Sequence, residues 1–191
     1  MNNNPITKLD ISKQKCLRSF DCNNAKLTSI NLKECVELEE LSLNNNQLSS
    51  LDISNNTKLE ELKIKDNNLS KIDVSNNNVL SFLNCDNNPL GSLDVSKNNS
   101  LNVLACNNTL IKKLDLNNNP FLHNLYCADN ELTDIDLSHN TELTYLNLLN
   151  NKLTSIDLSN NTALTELRSV LNCSNIDDNE NVDGWKYWLL W

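Results

Sequence analysis

From Leu17 to Ala163 the chain is seven consecutive blocks of 21 residues, opening at Leu17, Leu38, Leu59, Leu80, Leu101, Leu122 and Leu143 with no insertion or deletion. A period of this length means that each block is one small structural unit, unable to bury its apolar face alone and therefore stacked on its neighbours. The rule is LxxLx(L/C)xxNxLxx(L/I)D(L/I/V)SxNxx, as in LEELKIKDNNLSKIDVSNNNV from Leu59 and LTYLNLLNNKLTSIDLSNNTA from Leu143. Residues are placed below by coil, 1 to 7 from Leu17, and by position within the 21.

Each block carries two short alternations, LxL and then LDL, and period two is the mark of a strand with one face buried. Positions 1, 4, 6, 11, 14 and 16 are apolar, so each coil turns six side chains inward. Coils stacked about 4.8 Å apart then form one continuous core, with short parallel strands expected on both flanks and little or no helix.

Composition explains how such tight turns are made. There are 39 Asn and 36 Leu among 191 residues but only 2 Gly. Asn fills position 9 at Asn46, Asn67, Asn88, Asn130 and Asn151, and position 19 at Asn56, Asn77, Asn98, Asn119, Asn140 and Asn161. Asn tolerates left-handed backbone and its amide can bond the next coil, so these two rows are expected to replace glycine.

The pattern resembles the leucine-rich-repeat family, in particular the short bacterial 21-residue class with a nested half-repeat seen in internalin-like and other surface proteins. It covers 17–163, with a half repeat before it (Ile6, Leu9, Ile11) and a degrading one after it (Leu164, Leu167, Asn172). Departures are Ala25 and Thr109 at position 9, Cys35 at position 19, and Asn31 and Lys33 in place of Asp and Ser. The resemblance implies a right-handed solenoid, a non-catalytic role, and recognition of another macromolecule, usually a protein, on the exposed face of the LxxLxL strand. The chain divides accordingly into an amino-terminal half repeat and cap (1–16), seven repeats (17–163), and a degenerate last repeat with a Trp-rich cap (164–191).

Several functions are disfavoured. A net charge of −9 argues against nucleic acid, which is bound through Lys and Arg. No window approaches the ~18 apolar residues of a membrane span, and MNNNPITKLD carries no signal peptide. The chain as it stands is thus cytoplasmic, or secreted or surface-displayed if a signal has been removed. With 2 Gly no phosphate-cradling loop can be written, and neither His123 nor His139 has a ligand or triad partner in sequence, so no cofactor, metal or catalytic residue is assigned.

Seven Cys are present. Cys22, Cys85, Cys106 and Cys127 fill the inward position 6 and read as small core hydrophobes. A bridge between Cys16 and Cys35 at the amino-terminal end is left open. Asp at position 15 (Asp10, Asp52, Asp73, Asp94, Asp115, Asp136, Asp157) forms a row in which adjacent charges repel by about 0.9 kcal/mol in water. Either local turn bonding or bound cations offset this repulsion, and under the second reading Ca²⁺ or mild acid raises stability.

A partner must use the outward positions of the LxxLxL strand. Early coils present Glu39, Glu40, Glu60, Glu61, Lys63 and Lys65. Later coils present Phe82, Val103, Tyr126, Tyr145 and Leu149 beside His123 and Asn124, an aromatic cluster on an Asn-rich surface. This cluster is the expected protein-binding patch of a monomeric scaffold; a cation-dependent or glycan-binding bacterial surface adhesin is the alternative. All three Trp (Trp185, Trp188, Trp191) lie in the tail, as a lid on the last coil or a docking surface.

Overall fold

The computed structural model describes residues 5–169. Among them are ten strands of three residues and no helix. In chain order these are β1 (Lys8–Asp10), β2 (Ser19–Asp21), β3 (Ser29–Asn31), β4 (Glu40–Ser42), β5 (Glu61–Lys63), β6 (Phe82–Asn84), β7 (Val103–Ala105), β8 (Asn124–Tyr126), β9 (Tyr145–Asn147) and β10 (Glu166–Arg168). One eight-stranded parallel sheet runs β2-β4-β5-β6-β7-β8-β9-β10. Its register never slips, so Phe20, Leu41, Leu62, Leu83, Leu104, Leu125, Leu146 and Leu167 form one inward row. Interior coils bury positions 1, 4, 6 and 11, completely at Leu59, Leu62, Ile64 and Leu69.

The second flank departs from expectation. Parallel pairing there is confined to β1 and β3, and the LDL segments of later coils are not strands. In these segments the Asp carboxylate accepts the N–H two residues on, for example Ser54 N–H to Asp52 Oδ1 at 3.0 Å, a local turn that Asp10 of the paired β1 makes as well, so it accompanies the strand and non-strand segments alike. Period-two burial survives without sheet hydrogen bonding.

The left-handed residue is also not where the Asn rows suggested. It is position 8, occupied by Asn24, Asn45, Asp66, Asn87, Asn108, Asp129 and Asn150 with φ between 52° and 57°. Asn and Asp are the side chains that bear this conformation most easily after Gly. Coils 1 and 5, which lack Asn at position 9, carry a second left-handed residue at position 10, Lys26 (φ 60°) and Leu110 (φ 62°). Leu110 is bulky, left-handed and 46% exposed. Leu110→Asn is therefore expected to raise stability by about 0.5–1 kcal/mol, read as a higher urea midpoint; a lower midpoint would show that the leucine side chain matters more than its backbone strain.

Position 9 instead ties coils together. Asn46 Nδ2 donates to Cys22 O (2.8 Å) and Leu43 O (2.9 Å), while its Oδ1 accepts from Ala25 N–H (3.1 Å) and Leu27 N–H (2.9 Å). Position 19 uses only half its amide: Asn98 Nδ2 donates to Val74 O (3.0 Å) and Asn77 O (2.9 Å), but the Oδ1 atoms of Asn56, Asn77, Asn98, Asn119, Asn140 and Asn161 are buried without a protein partner.

Cys22, Cys85, Cys106 and Cys127 are free thiols and fully buried. Cys16 is exposed, whereas Cys35 is buried and its thiol donates to Ile11 O at 3.2 Å, so the two are not bridged. The Trp-rich cap lies outside the described residues.

Candidate recognition face on the parallel sheet

Two outward rows define the face. Position 3 reads Ser19, Glu40, Glu61, Phe82, Val103, Asn124, Tyr145, Glu166, and position 5 reads Asp21, Ser42, Lys63, Asn84, Ala105, Tyr126, Asn147, Arg168. Phe82, Val103, Asn124, Tyr126 and Tyr145 all lie on these rows and are half-buried. His123 and Leu149, at positions 2 and 7, are half-buried at its margins. Of the seven residues expected from sequence, five thus lie on the two strand rows and two beside them.

Contacts run diagonally between the rows. The Tyr126 and Tyr145 rings lie 4.5 Å apart at 32°, an arrangement that the aromatic quadrupole favours over a flat sandwich. Burial pushes the Tyr145 hydroxyl pKa above its usual value. Ala105 faces outward yet is only 6% exposed, so its larger neighbours overhang it.

Each end of the aromatic stretch is closed by a cation. Lys63 Nζ sits 5.3 Å from the Phe82 ring centre and Arg168 Cζ 5.9 Å from that of Tyr145. Each cation also pairs with a glutamate of its own strand, Lys63 with Glu61, and Arg168 with Glu166 through Nε at 2.9 Å and Nη2 at 2.8 Å. Sequence reasoning assigned Lys63 to the charged half and did not select Arg168. The available signal was the diagonal: a position 5 cation in a coil adjacent to a position 3 aromatic.

At the margins, His123 Nδ1 lies 2.9 Å from both Asn102 Nδ2 and Phe121 O, and its Nε2 is 3.6 Å from Glu142 Oε2. Phe121 is 53% exposed and continues the apolar character past the sheet edge, at position 21, outside the LxxLxL strand to which the sequence expectation was confined. Asp86, at position 7, is only 8% exposed. Burial raises its pKa, while Asn107 opposes this by donating its N–H (2.7 Å) and Nδ2 (3.0 Å) to Oδ1.

The Asp row lies on the other flank and is committed to its own turns. Oδ1 of Asp10, Asp52, Asp73, Asp94, Asp115, Asp136 and Asp157 accepts the N–H two residues on at 2.9–3.0 Å. The hydroxyl and N–H of the Ser hold Asp10, Asp52, Asp73, Asp94, Asp136 and Asp157 below the usual 3.8. A depressed carboxyl contributes stability above its unfolded pKa and loses it as pH falls through the folded value. No gain is therefore expected in mild acid, and the effect in stronger acid is a loss. Melting temperature should be flat from about pH 7 to 5, fall below about pH 4, and fall less in Asp73→Asn.

Among the described residues no three His, Cys, Asp or Glu converge as a metal site. Ser138 Oγ lies 3.1 Å from His139 Nδ1, but Asp136 bonds the Ser138 N–H and not the imidazole, so it does not orient the histidine. No helix among the described residues is long and apolar enough to cross a membrane.

A parallel sheet of in-register LxxLxL strands, wound through 21-residue coils, defines the class: the chain is a leucine-rich-repeat solenoid. More particularly, it is similar to bacterial proteins of that class. The functional domain of InlJ from Listeria monocytogenes, described as including a cysteine ladder, is 32% identical over 86% of this chain and 45% of that one, with a TM-score of 0.68. YopM, a leucine-rich effector protein from Yersinia pestis, is 26% identical over 86% of this chain and 46% of that one, with a TM-score of 0.74. Internalin C2 from Listeria monocytogenes is 27% identical over 71% of this chain and 63% of that one, with a TM-score of 0.64. The chain spans about half the length of the first two structures. No family model matches the sequence, and no curated protein matches it. Solenoids of this kind are in general protein-interaction scaffolds and typically non-catalytic.

Proposed function

We propose that the chain recognises a protein partner through the sheet face between Lys63 and Arg168, with Phe82, Tyr126 and Tyr145 as anchors. The observation that carries this reading is that three aromatic side chains stand half-buried on the solvent side of the sheet, where the core makes no use of them. Aromatic anchors inside a polar rim are the usual composition of binding hot spots, and Asn84, Asn124 and Asn147 supply such a rim. The salt-bridged cations at both ends limit the rotamers of Phe82 and Tyr145, which lowers the ordering entropy of association.

The test is capture from lysate and surface fractions with wild type, Phe82→Asn/Tyr126→Asn/Tyr145→Asn, and a control in which Glu39 and Glu60 become Gln. The triple variant should weaken binding by about 100-fold or more, since single hot-spot residues are worth about 2 kcal/mol, while the control binds within a few-fold. A partner held equally by the triple variant would move recognition off this face.

A further inference from the structure

At position 7, two residues past the strand, a side-chain oxygen of one coil accepts the position 7 N–H of the next. Asn23 Oδ1 accepts from Asn44 N–H at 2.6 Å, Asn44 Oδ1 from Lys65 N–H at 2.8 Å, and Asn107 Oδ1 from Ala128 N–H at 2.7 Å. The same rung of coil 4 is Asp86, whose Oδ1 accepts from Asn107 N–H at 2.7 Å and Asn107 Nδ2 at 3.0 Å. An amide oxygen fills this role in coils 1, 2 and 5, so the ladder does not require a carboxylate. The charge nevertheless stands on a residue only 8% exposed, and a desolvated carboxylate costs free energy unless it is paired. Among the described residues no Lys, Arg or His forms an ion pair with it; Lys65, one rung before, acts on it only at longer range, and Asp66 opposes that attraction. Its Oδ1 has both lone pairs engaged by Asn107, whereas Oδ2 has no hydrogen-bond partner among the described residues and is not sealed from solvent.

We propose that Asp86 reads charge for the proposed recognition face, its Oδ2 receiving the ammonium of a lysine that the protein partner carries beside the apolar residues seated on Phe82, Tyr126 and Tyr145. The inference rests on the reading of that face as a protein-binding surface. Asp86 lies on the same coil as Phe82, four residues on, at the margin of the face opposite to His123. One open oxygen accepts a compact ammonium but cannot hold both arms of a guanidinium, so Lys is expected over Arg. Docking removes the remaining water from a carboxylate that is already largely dry, and a charge pair gains strength there. A partner with Gln or Glu at the same place would leave the carboxylate buried and unpaired, so the position discriminates between partners as well as binding one.

A phage-displayed library of random peptides, selected in parallel on wild type, Asp86→Asn and Phe82→Asn/Tyr126→Asn/Tyr145→Asn, tests this. Wild type should enrich peptides that carry apolar residues and a Lys at a fixed spacing from them. Asp86→Asn should keep the apolar residues and lose the Lys. For a synthetic peptide of the wild-type consensus, Asp86→Asn should weaken binding by about tenfold or more, exchange of the peptide Lys for Gln should do the same, and the two changes together should cost little more than either alone. Asp86→Asn should meanwhile leave the urea midpoint at pH 7 equal or higher, because the amide keeps the Oδ1 acceptor and an ionised carboxyl whose pKa burial has raised disfavours the fold. No Lys enrichment on wild type, Arg enriched in its place, or the same Lys retained on Asp86→Asn overturns the proposal. A lower urea midpoint also overturns it, since the carboxylate would then be held for Lys65 and the fold. Failure of the face itself looks different: the triple variant would select the same peptides as wild type, and both readings would fall together.

Discussion

Asn88→Ala is expected to lower stability by about 3 kcal/mol or more, whereas Asn98→Ala, an equally buried Asn in the next half-coil, should cost about 1 kcal/mol. The difference follows from what each amide leaves behind. Asn88 Oδ1 accepts Leu69 N–H at 3.0 Å, and its Nδ2 donates to Ile64 O at 2.9 Å and Cys85 O at 3.0 Å. Alanine strips those partners from buried backbone groups, and each orphan costs about 1–3 kcal/mol. Asn98 Nδ2 bonds Val74 O and Asn77 O, but those carbonyls also accept Asn77 N–H and Leu80 N–H, each at 3.0 Å, so both keep a partner. The substitution also removes an unpartnered Oδ1. Urea midpoints of the two variants, at unchanged m-value, decide the matter. An Asn98 cost equal to or above that of Asn88 would mean that orphaned backbone groups do not set the scale.

That contrast marks the limit of what the sequence makes legible. Inward and outward positions can be read from period alone, because a one-residue slip would exchange core for solvent in every coil. This places Leu62, Leu83 and Cys85 correctly, and with them Phe82, Tyr126 and Tyr145 on the face. The turn chemistry cannot be read the same way. Positions 7, 8 and 9 of coil 2 are Asn44, Asn45 and Asn46, three identical side chains, of which one carries the left-handed backbone, one makes five bonds, three of them to the preceding coil, and one accepts the Lys65 N–H. Composition cannot assign those roles. On the second flank, alternation around Asp73 predicts the inward positions of Ile72 and Val74, but period two reports burial and not pairing, and the segment is not a strand. At the proposed recognition face the missing element was the diagonal neighbour: Lys63 and Arg168 belong to the aromatic cluster through Phe82 and Tyr145, in other coils.

The core thiols give the second large effect, on the alkaline side. Cys85 and Cys106 are sealed at position 6. Burial pushes the Cys85 thiol far above its ordinary 9.0, and for Cys106 a hydrogen bond with Cys127, followed by burial, does the same. Above pH 9 the unfolded chain releases these protons while the folded chain keeps them, so the unfolded state binds fewer protons and stability falls as pH rises. The thiols' full contribution is present below the unfolded value. Above it, each thiol removes about 1.4 kcal/mol per pH unit, or about 2.7 kcal/mol for the pair. Urea midpoints under reducing conditions should therefore fall steeply between about pH 9 and 10.5. In Cys85→Ala/Cys106→Ala the protein is weaker at pH 7 because a sealed core loses volume, but its alkaline slope should be shallower by roughly that amount. Comparing slopes rather than absolute stabilities removes both the cavity cost and the exposed lysines, which titrate alike in the two chains. Parallel slopes would mean that the thiols ionise inside the fold, which their full burial in a continuous aliphatic ladder opposes.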